Sequence, residues 1–442
     1  MEQWSKDSWR SRRAQQQPEY EDPRAAARAL QVLSTRPPLV AAGEVERLRV
    51  TLGEAAQGKR FVLHGGDCAE AFASCTEAAL RSKLEVLLQM SLVLTYATRR
   101  PIVRIGRIAG QYAKPRSSAT ERVGDRELPS YRGDIINAAE ATPEARRADP
   151  ARLLEAYGHA AASLNYLRAL IEGGFADLHH PERWALKLVS RSPRRAAYER
   201  TMSAITDAIA LMESIGASSQ DALNRVDLYT SHEALLLAWE EALTRDSGPG
   251  TYNLSAHYLW LGYRTAKIDE AHVEYLRGLR NPIAIKVGVA SNPAELAALL
   301  DRLDPEREPG RITLISRLGA GNVESALPAL LRAAADSGHP VLWSCDPMHG
   351  NTEATAGGRK TRRMESIFGE LEQTFAVHSA QGSRLGGVHF EMTGEDVTEC
   401  LGGSLEVRED DLPRSYETAC DPRLNGSQAL EMAFRIAELL RS

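Results

Sequence analysis

Cysteine is scarce in this chain. Cys68, Cys75, Cys345, Cys400 and Cys420 are the five thiols among 442 residues, too few and too scattered for a disulfide framework. Long apolar runs are missing as well: no stretch of about 18 residues could span a bilayer. The opening MEQWSKDSWRSRR is polar and charged, without the apolar core of a signal peptide. Positive charge is not in excess, since 54 Lys and Arg stand against 59 Asp and Glu for a formal net charge of -5. No nucleic-acid partner and no membrane are therefore expected, although a local anion pocket is not excluded. The expectation is a cytoplasmic protein. In a reducing compartment, cysteines beside Asp, His and Glu read as metal ligands or inert thiols. What is present is ample core material, with 43% hydrophobic and 26% charged residues.

From Phe61 onward a pattern repeats: a short apolar run, a glycine or polar break, then a helix-length amphipathic stretch. The strand candidates are Phe61 to Leu63, Ile102 to Ile105, Val226 to Thr230, Tyr258 to Leu261, Ile283 to Val287, Ile312 to Ile315, Val341 to Ser344 and Gly387 to Phe390. Helices are expected at Glu77 to Leu94, His232 to Arg245, Ala271 to Arg280, Pro293 to Leu303 and Val323 to Ala335, with Gln428 to Leu440 closing the chain. Strands alternating with helices in this number predict an α/β fold, a parallel (β/α)8 TIM barrel, with a doubly wound open sheet as the competitor. Residues 1–60 read as an amino-terminal extension carrying helical spacing at Ala25 to Val32 and Glu44 to Ala55. The barrel domain is then 61–442, and the long interval after the second strand predicts an inserted helical subdomain at about 140–222, notably Pro150 to Leu170 and Arg195 to Ser214. Its Leu164, Leu167, Leu170 and Ile171 suit either a subunit contact, an effector site or plain helix packing.

A barrel gathers its chemistry at the carboxyl ends of its strands. The residues following each run therefore belong together as a set. In FVLHGGDCAEAF the glycines let backbone approach a ligand, and Cys68 follows them; a buried structural cysteine is the competing reading. After the other runs come Arg107 and the Lys114-Pro115-Arg116-Ser117 stretch, then Ser231, His232 and Glu233. Arg264, Lys286, Arg317, Asp346, His349 and Glu391 complete the series. Two groups emerge. Arg107, Lys114, Arg116, Arg264, Lys286 and Arg317 would repel one another in a barrel mouth unless a multiply charged anion is held there, and phosphate matches guanidinium forks. Cys68, His349, Glu391 and Asp421 form a mixed S, N and O donor set suited to manganese, cobalt, iron or zinc.

These stretches resemble a known family, the class II 3-deoxy-D-arabino-heptulosonate 7-phosphate (DAHP) synthases. The resemblance runs through DSWR, QQPEYED, GGDCAEAF, RIAGQYAKPRS, YRGDIIN, SHEALL, PGRITLISRLG, CDPMHGNT, GGVHFEMTGEDVTECLGG and YETACDPRLN, in order along nearly the whole chain. It implies a barrel and a divalent metal, manganese first, held by Cys68, His349, Glu391 and Asp421. It also implies phosphoenolpyruvate at Arg107, Arg264, Lys286 and Arg317, erythrose 4-phosphate at Lys114, Arg116 and Ser117, and a homo-oligomer. Catalysis would centre on Lys286, Arg264 and His349.

The sequence departs from that pattern at three places. Gly262-Tyr263-Arg264-Thr265 stands where GERT is usual, His64 where a glutamine precedes Gly-Gly, and Gly288-Val289 where Gly-Pro is usual. Tyr263 replaces an acid expected near the enolpyruvate and its attacking water. A phenol is not a ready carboxylate base at neutral pH, although it can hydrogen-bond a water or shape the pocket. Three readings follow: the ordinary synthase, a related condensation with another aldose or amino-aldose phosphate, and a non-catalytic homologue. A chain freed from catalysis would have no physical need to keep a charged, self-repelling pocket, which counts against the last.

Overall fold

Eight apolar runs pair side by side and close on themselves. They are Phe61–Gly66 (β1), Ile102–Arg107 (β2), Leu228–Glu233 (β3), Tyr258–Leu261 (β4), Ile283–Val287 (β5), Ile312–Ser316 (β6), Leu342–Cys345 (β7) and Leu385–Glu391 (β8). Every neighbouring pair is parallel, and β8 returns to β1. The computed structural model describes residues 3–176, 195–214 and 227–441. The closed barrel rules out the open doubly wound sheet. β1, β4, β5, β6, β7 and β8 are buried at every position, as expected of parallel strands covered on both faces.

Side chains alternate about each strand, so residues two apart share a face. Val62, Val103, Ile105, Tyr229, Tyr258, Trp260, Ala284, Ile315 and Leu342 form one buried apolar cluster with Leu48, Leu52 and Ala55 of the helix Ala42–Ala56. This arm helix thus caps the amino-terminal end of the barrel. Following the same alternation toward the carboxyl ends, the interior turns polar: His64, Ser231, Lys286 and His389, then Arg107, Glu233 and Glu391. The strands are therefore apolar where they need only pack and charged where they open to the mouth.

The helices Pro293–Leu303 and Arg195–Ser214 match their expected bounds, and Glu77–Thr98, Ala151–Glu172, Val323–Asp336 and Gly426–Leu439 run slightly past or beside them. Leu164 and Leu167 are buried in the main core, and Leu170 and Ile171 pack against it. The part of the expected insertion at 177–194 and 215–222 lies outside the described residues, as does Val226 of the third strand candidate.

The expected helix His232 to Arg245 is corrected. β3 runs on to Glu233, the helix is only Leu237–Ala242, and Thr244–Ser247 pairs antiparallel with Gly250–Asn253. The physical reason is burial of polar groups. Glu240 turns inward, where its carboxylate meets His232 Nε2 at 2.9 Å and accepts from Asn253 Nδ2 at 2.7 Å and Ser255 Oγ at 2.8 Å. That network holds the segment back against the sheet. No helix among the described residues is long and apolar enough to cross a membrane.

Candidate active site

β1 ends in Gly66, whose φ of +146° suits glycine and whose Cβ, if present, would lie 2.7 Å from the Arg107 carbonyl oxygen. This close turn delivers Asp67 and Cys68 to the mouth. Asp67 is buried and ion-paired with Lys83 and, at 2.7 Å, with Arg423 Nη1. Arg423 also reaches Glu399 at 2.7 Å. The segment bearing Cys68 is thereby tied to the segment bearing Asp421, across more than three hundred residues of sequence.

The Cys68 thiol and the carboxylates of Glu391 and Asp421 place ligand atoms within 4.8 Å of one another. His349 joins through Glu391, its Nε2 lying 3.0 Å from Oε1. The other ring nitrogen, Nδ1, meets Asp346 Oδ2 at 2.7 Å. A carboxylate partner on Nδ1 fixes the ring so that Nε2 faces the cluster, the usual arrangement behind a metal-binding imidazole. Sulfur, imidazole and two carboxylates suit a divalent transition ion, so the donor chemistry fits the metal that the resemblance implies.

Lys114 lies in the same cluster. Its ammonium is 2.5 Å from Cys68 Sγ and 2.6 Å from Asp421 Oδ2. Burial opposes the charge of Lys114, but Cys68, Asp421 and Glu391 hold its pKa well above the ordinary lysine value. Burial likewise opposes ionisation of Glu391 and Asp421, yet His349 and Lys114 for the first, and Lys114 for the second, hold both well below the usual carboxylate range. Burial pushes the Cys68 thiol up, and Cys420, packed beside it with Tyr131, adds to this.

Beside the cluster opens a cavity of about 470 Å³. Cys68, Arg107, Lys114, Arg116, Ser117, Tyr263, Arg264, Lys286, Arg317, His349 and Asp421 line it, and Glu391 lies fully buried beneath. Ser231, His232, Asp346 and Glu391, also singled out in the sequence, are buried behind the wall rather than lining it. Arg107 is deepest: its Nε donates to Asp67 O at 2.8 Å, Nη2 to Cys68 O at 2.7 Å and to Glu391 at 3.2 Å. Lys286 pairs with buried Asp346. Burial draws the Lys286 ammonium down to about 8 although Asp346 opposes the fall. Arg317 donates to His349 O at 3.0 Å and lies 5.5 Å over the Tyr263 ring. Arg264 is exposed at the rim, donating to Ser117 Oγ at 2.7 Å. Arg116 is pinned by Glu121 and by Gln16 of the arm, which accepts from its backbone N–H at 3.0 Å.

Three further residues bear on this wall, Glu233 and Lys360 in it and Asp346 buried behind it. Glu233, at the end of β3, is nine-tenths buried, and its Oε1 has no hydrogen-bond partner. Gly262 makes room for it, since a Cβ there would collide with Oε1. Burial raises the Glu233 carboxyl above its usual range, against the pull of Lys114, Lys286, Arg264 and Arg107. Asp346 orients both His349 and Lys286. Lys360 reaches Asp421 Oδ1 at 2.8 Å. Glu233 and Asp346 stand in the strand-end series of the sequence but fall in neither the cationic nor the ligand group; Lys360, in GGRKTRR, carries no signal.

Fold and site together define a (β/α)8-barrel enzyme whose mouth sets a cation-rich cavity against a cluster of metal-ligating side chains. The chain belongs to the class-II DAHP synthetase family, whose family model matches residues 4–437. It is 48% identical over 456 residues to a phospho-2-dehydro-3-deoxyheptonate aldolase of Neurospora crassa, covering 99% of this chain and 94% of that protein. It is 47% identical over 437 residues to the protein of the same name from Streptomyces coelicolor, covering 98% of this chain and 97% of the other. Among solved structures, a phospho-2-dehydro-3-deoxyheptonate aldolase from Francisella tularensis superposes with a TM-score of 0.50 at 13% identity, over 94% of this chain and 97% of that one, a likeness of fold.

Proposed function

We propose that this enzyme condenses phosphoenolpyruvate with erythrose 4-phosphate and water to give DAHP and inorganic phosphate, the first step of aromatic biosynthesis. The observation that carries the reading is the juxtaposition, in one cavity, of Arg107, Lys286, Arg264 and Arg317 with the Cys68, Glu391 and Asp421 cluster. Arg107, Arg264, Lys286 and Arg317 hold the enolpyruvate, and Lys114, Arg116 and Ser117 take the phosphate of the aldose, the two sets meeting at the hydrogen bond from Arg264 to Ser117. Cys68, His349, Glu391 and Asp421 would hold a divalent ion, manganese by preference among manganese, cobalt, iron and zinc, which would supply Lewis-acid polarisation of the aldehyde. C3 of the enolpyruvate bonds to the aldehyde carbon, water adds at C2, and the C2–O bond to phosphate breaks. Holding both phosphates brings the two carbons into register. With Tyr263 in place of an acid, Glu233 is the cavity carboxylate without an ion-pair or cluster partner, and it takes the proton of the attacking water. We further assign the cytoplasm as compartment, a homo-oligomer as assembly, and the division into an extension at 1–60 and a barrel at 61–442 with a helical insertion at about 140–222.

A second reading, condensation with a different aldose or amino-aldose phosphate, is favoured by Tyr263, whose ring lies against Arg317 and next to Gly288. The test is phosphate release from phosphoenolpyruvate with a panel of aldose phosphates, each run with several divalent ions. Release with erythrose 4-phosphate is expected. Release only with another sugar would replace the first reading by the second, and none with any would overturn both.

A further inference from the structure

β1 and β8 pair in register with His64 beside His389. The two imidazoles meet inside the barrel, Nδ1 to Nδ1 at 2.9 Å. His389 Nε2 lies 2.8 Å from Arg107 Nη1, His64 Nε2 lies 2.7 Å from Ser231 Oγ, and Ser231 Oγ donates to the Gly106 carbonyl at 3.1 Å. Both rings are buried, among Tyr258 and Trp260.

Hydrogen-bond chemistry fixes the direction of this chain. A guanidinium only donates, so His389 Nε2 accepts and its proton sits on Nδ1. His64 Nδ1 must then accept, which puts its proton on Nε2, and that proton goes to Ser231. Donation runs from the Arg107 side chain through His389, His64 and Ser231 to the carbonyl of Gly106, the residue before Arg107 on the same strand. The loop closes on itself. Counting the bonds to Asp67, Cys68 and Glu391, four of the five guanidinium donors are engaged, leaving one Nη1 proton for a ligand in the cavity.

We propose that His64 and His389 are positioning residues for Arg107, a one-way relay of neutral imidazoles that aims its last N–H at the anionic substrate. This rests on the reading that the cavity takes phosphoenolpyruvate. An amide at position 64 can keep the polarity of the relay, its oxygen accepting from His389 and its N–H donating to Ser231. An aliphatic side chain cannot.

The test has two arms on the full-length protein at pH 7. With 15N-histidine labelling, and no ligand, His64 should carry its proton on Nε2 only and His389 on Nδ1 only. By calorimetry with metal present, His64→Gln should bind phosphoenolpyruvate nearly as the parent does, while His64→Leu should bind it at least about tenfold more weakly, the worth of a hydrogen bond to a charged group. Either ring doubly protonated, the opposite tautomers, or His64→Gln and His64→Leu equal in affinity would overturn the proposal. Should His64→Leu fail to fold, a His64→Gln variant that loses the same affinity overturns it alone. A parent that binds no phosphoenolpyruvate overturns the functional reading, whereas the tautomers decide the relay whatever the ligand.

Discussion

Lys286 illustrates how a single side chain can be charged and still costly to keep so. Burial lowers its pKa to about 8, and Asp346 opposes the fall. The ammonium is therefore present at pH 7 and is lost as pH rises through about 8. Phosphoenolpyruvate affinity should fall over that window and stay flat in Lys286→Arg, whose guanidinium keeps its charge. A calorimetric titration from about pH 7 to about pH 9.5 checks this, and a parent with constant affinity would refute it. Cys68→Ala removes the one sulfur from the ligand cluster. Metal affinity should fall by at least about 100-fold and turnover with it, with the circular dichroism of the parent retained. Equal turnover across a metal titration would refute the ligand role. Cys68, His349 and the cations could be read from the sequence because charge and sulfur at strand ends are chemically conspicuous. Glu233 was visible too, yet its unpartnered oxygen exists only once Gly262 is packed against it.

At the scale of elements, the helix Met364–Ala380 carries Glu370 into the loops after β6 and β7. Its Oε1 accepts from the backbone of Leu318 at 2.8 Å and its Oε2 from Asn351 at 2.7 Å, bracing the neighbours of Arg317 and His349. Burial raises its pKa from 4.5 to about 7. The folded state then holds its proton where the unfolded chain has lost it. Stability should consequently decline as pH rises from about 4.5 to about 7, by up to about 3 kcal/mol, and the decline should vanish in Glu370→Gln. Urea unfolding at intervals across that range measures it; identical slopes in parent and variant would refute it. The eight strands were legible because each begins as a short apolar run, six of them buried at every position. The segment His232 to Arg245 was not, because its helical spacing competes with Glu240 and its inward partners. The short hairpin Thr120–Val123 with Arg126–Pro129 was also missed: its strands TERV and RELP are largely polar and exposed, so no apolar run marks them.

For the whole molecule, a metal bound at the proposed cluster would link that site thermodynamically to the fold. An ion bound by the folded state alone adds about 2.7 kcal/mol of stability at a hundredfold excess over its dissociation constant. Divalent metal should therefore raise the thermal midpoint, a chelator should reverse the rise, and Cys68→Ala should abolish it; a midpoint indifferent to metal would sink the linkage. The cluster's composition has one more consequence. Cys68 lies at the head of the first strand's loop, and Asp421 follows the last strand. During synthesis, a polypeptide still short of residue 421 would carry an unfinished donor set, so that capture of an ion by the proposed ligands would wait until nearly the whole barrel is translated.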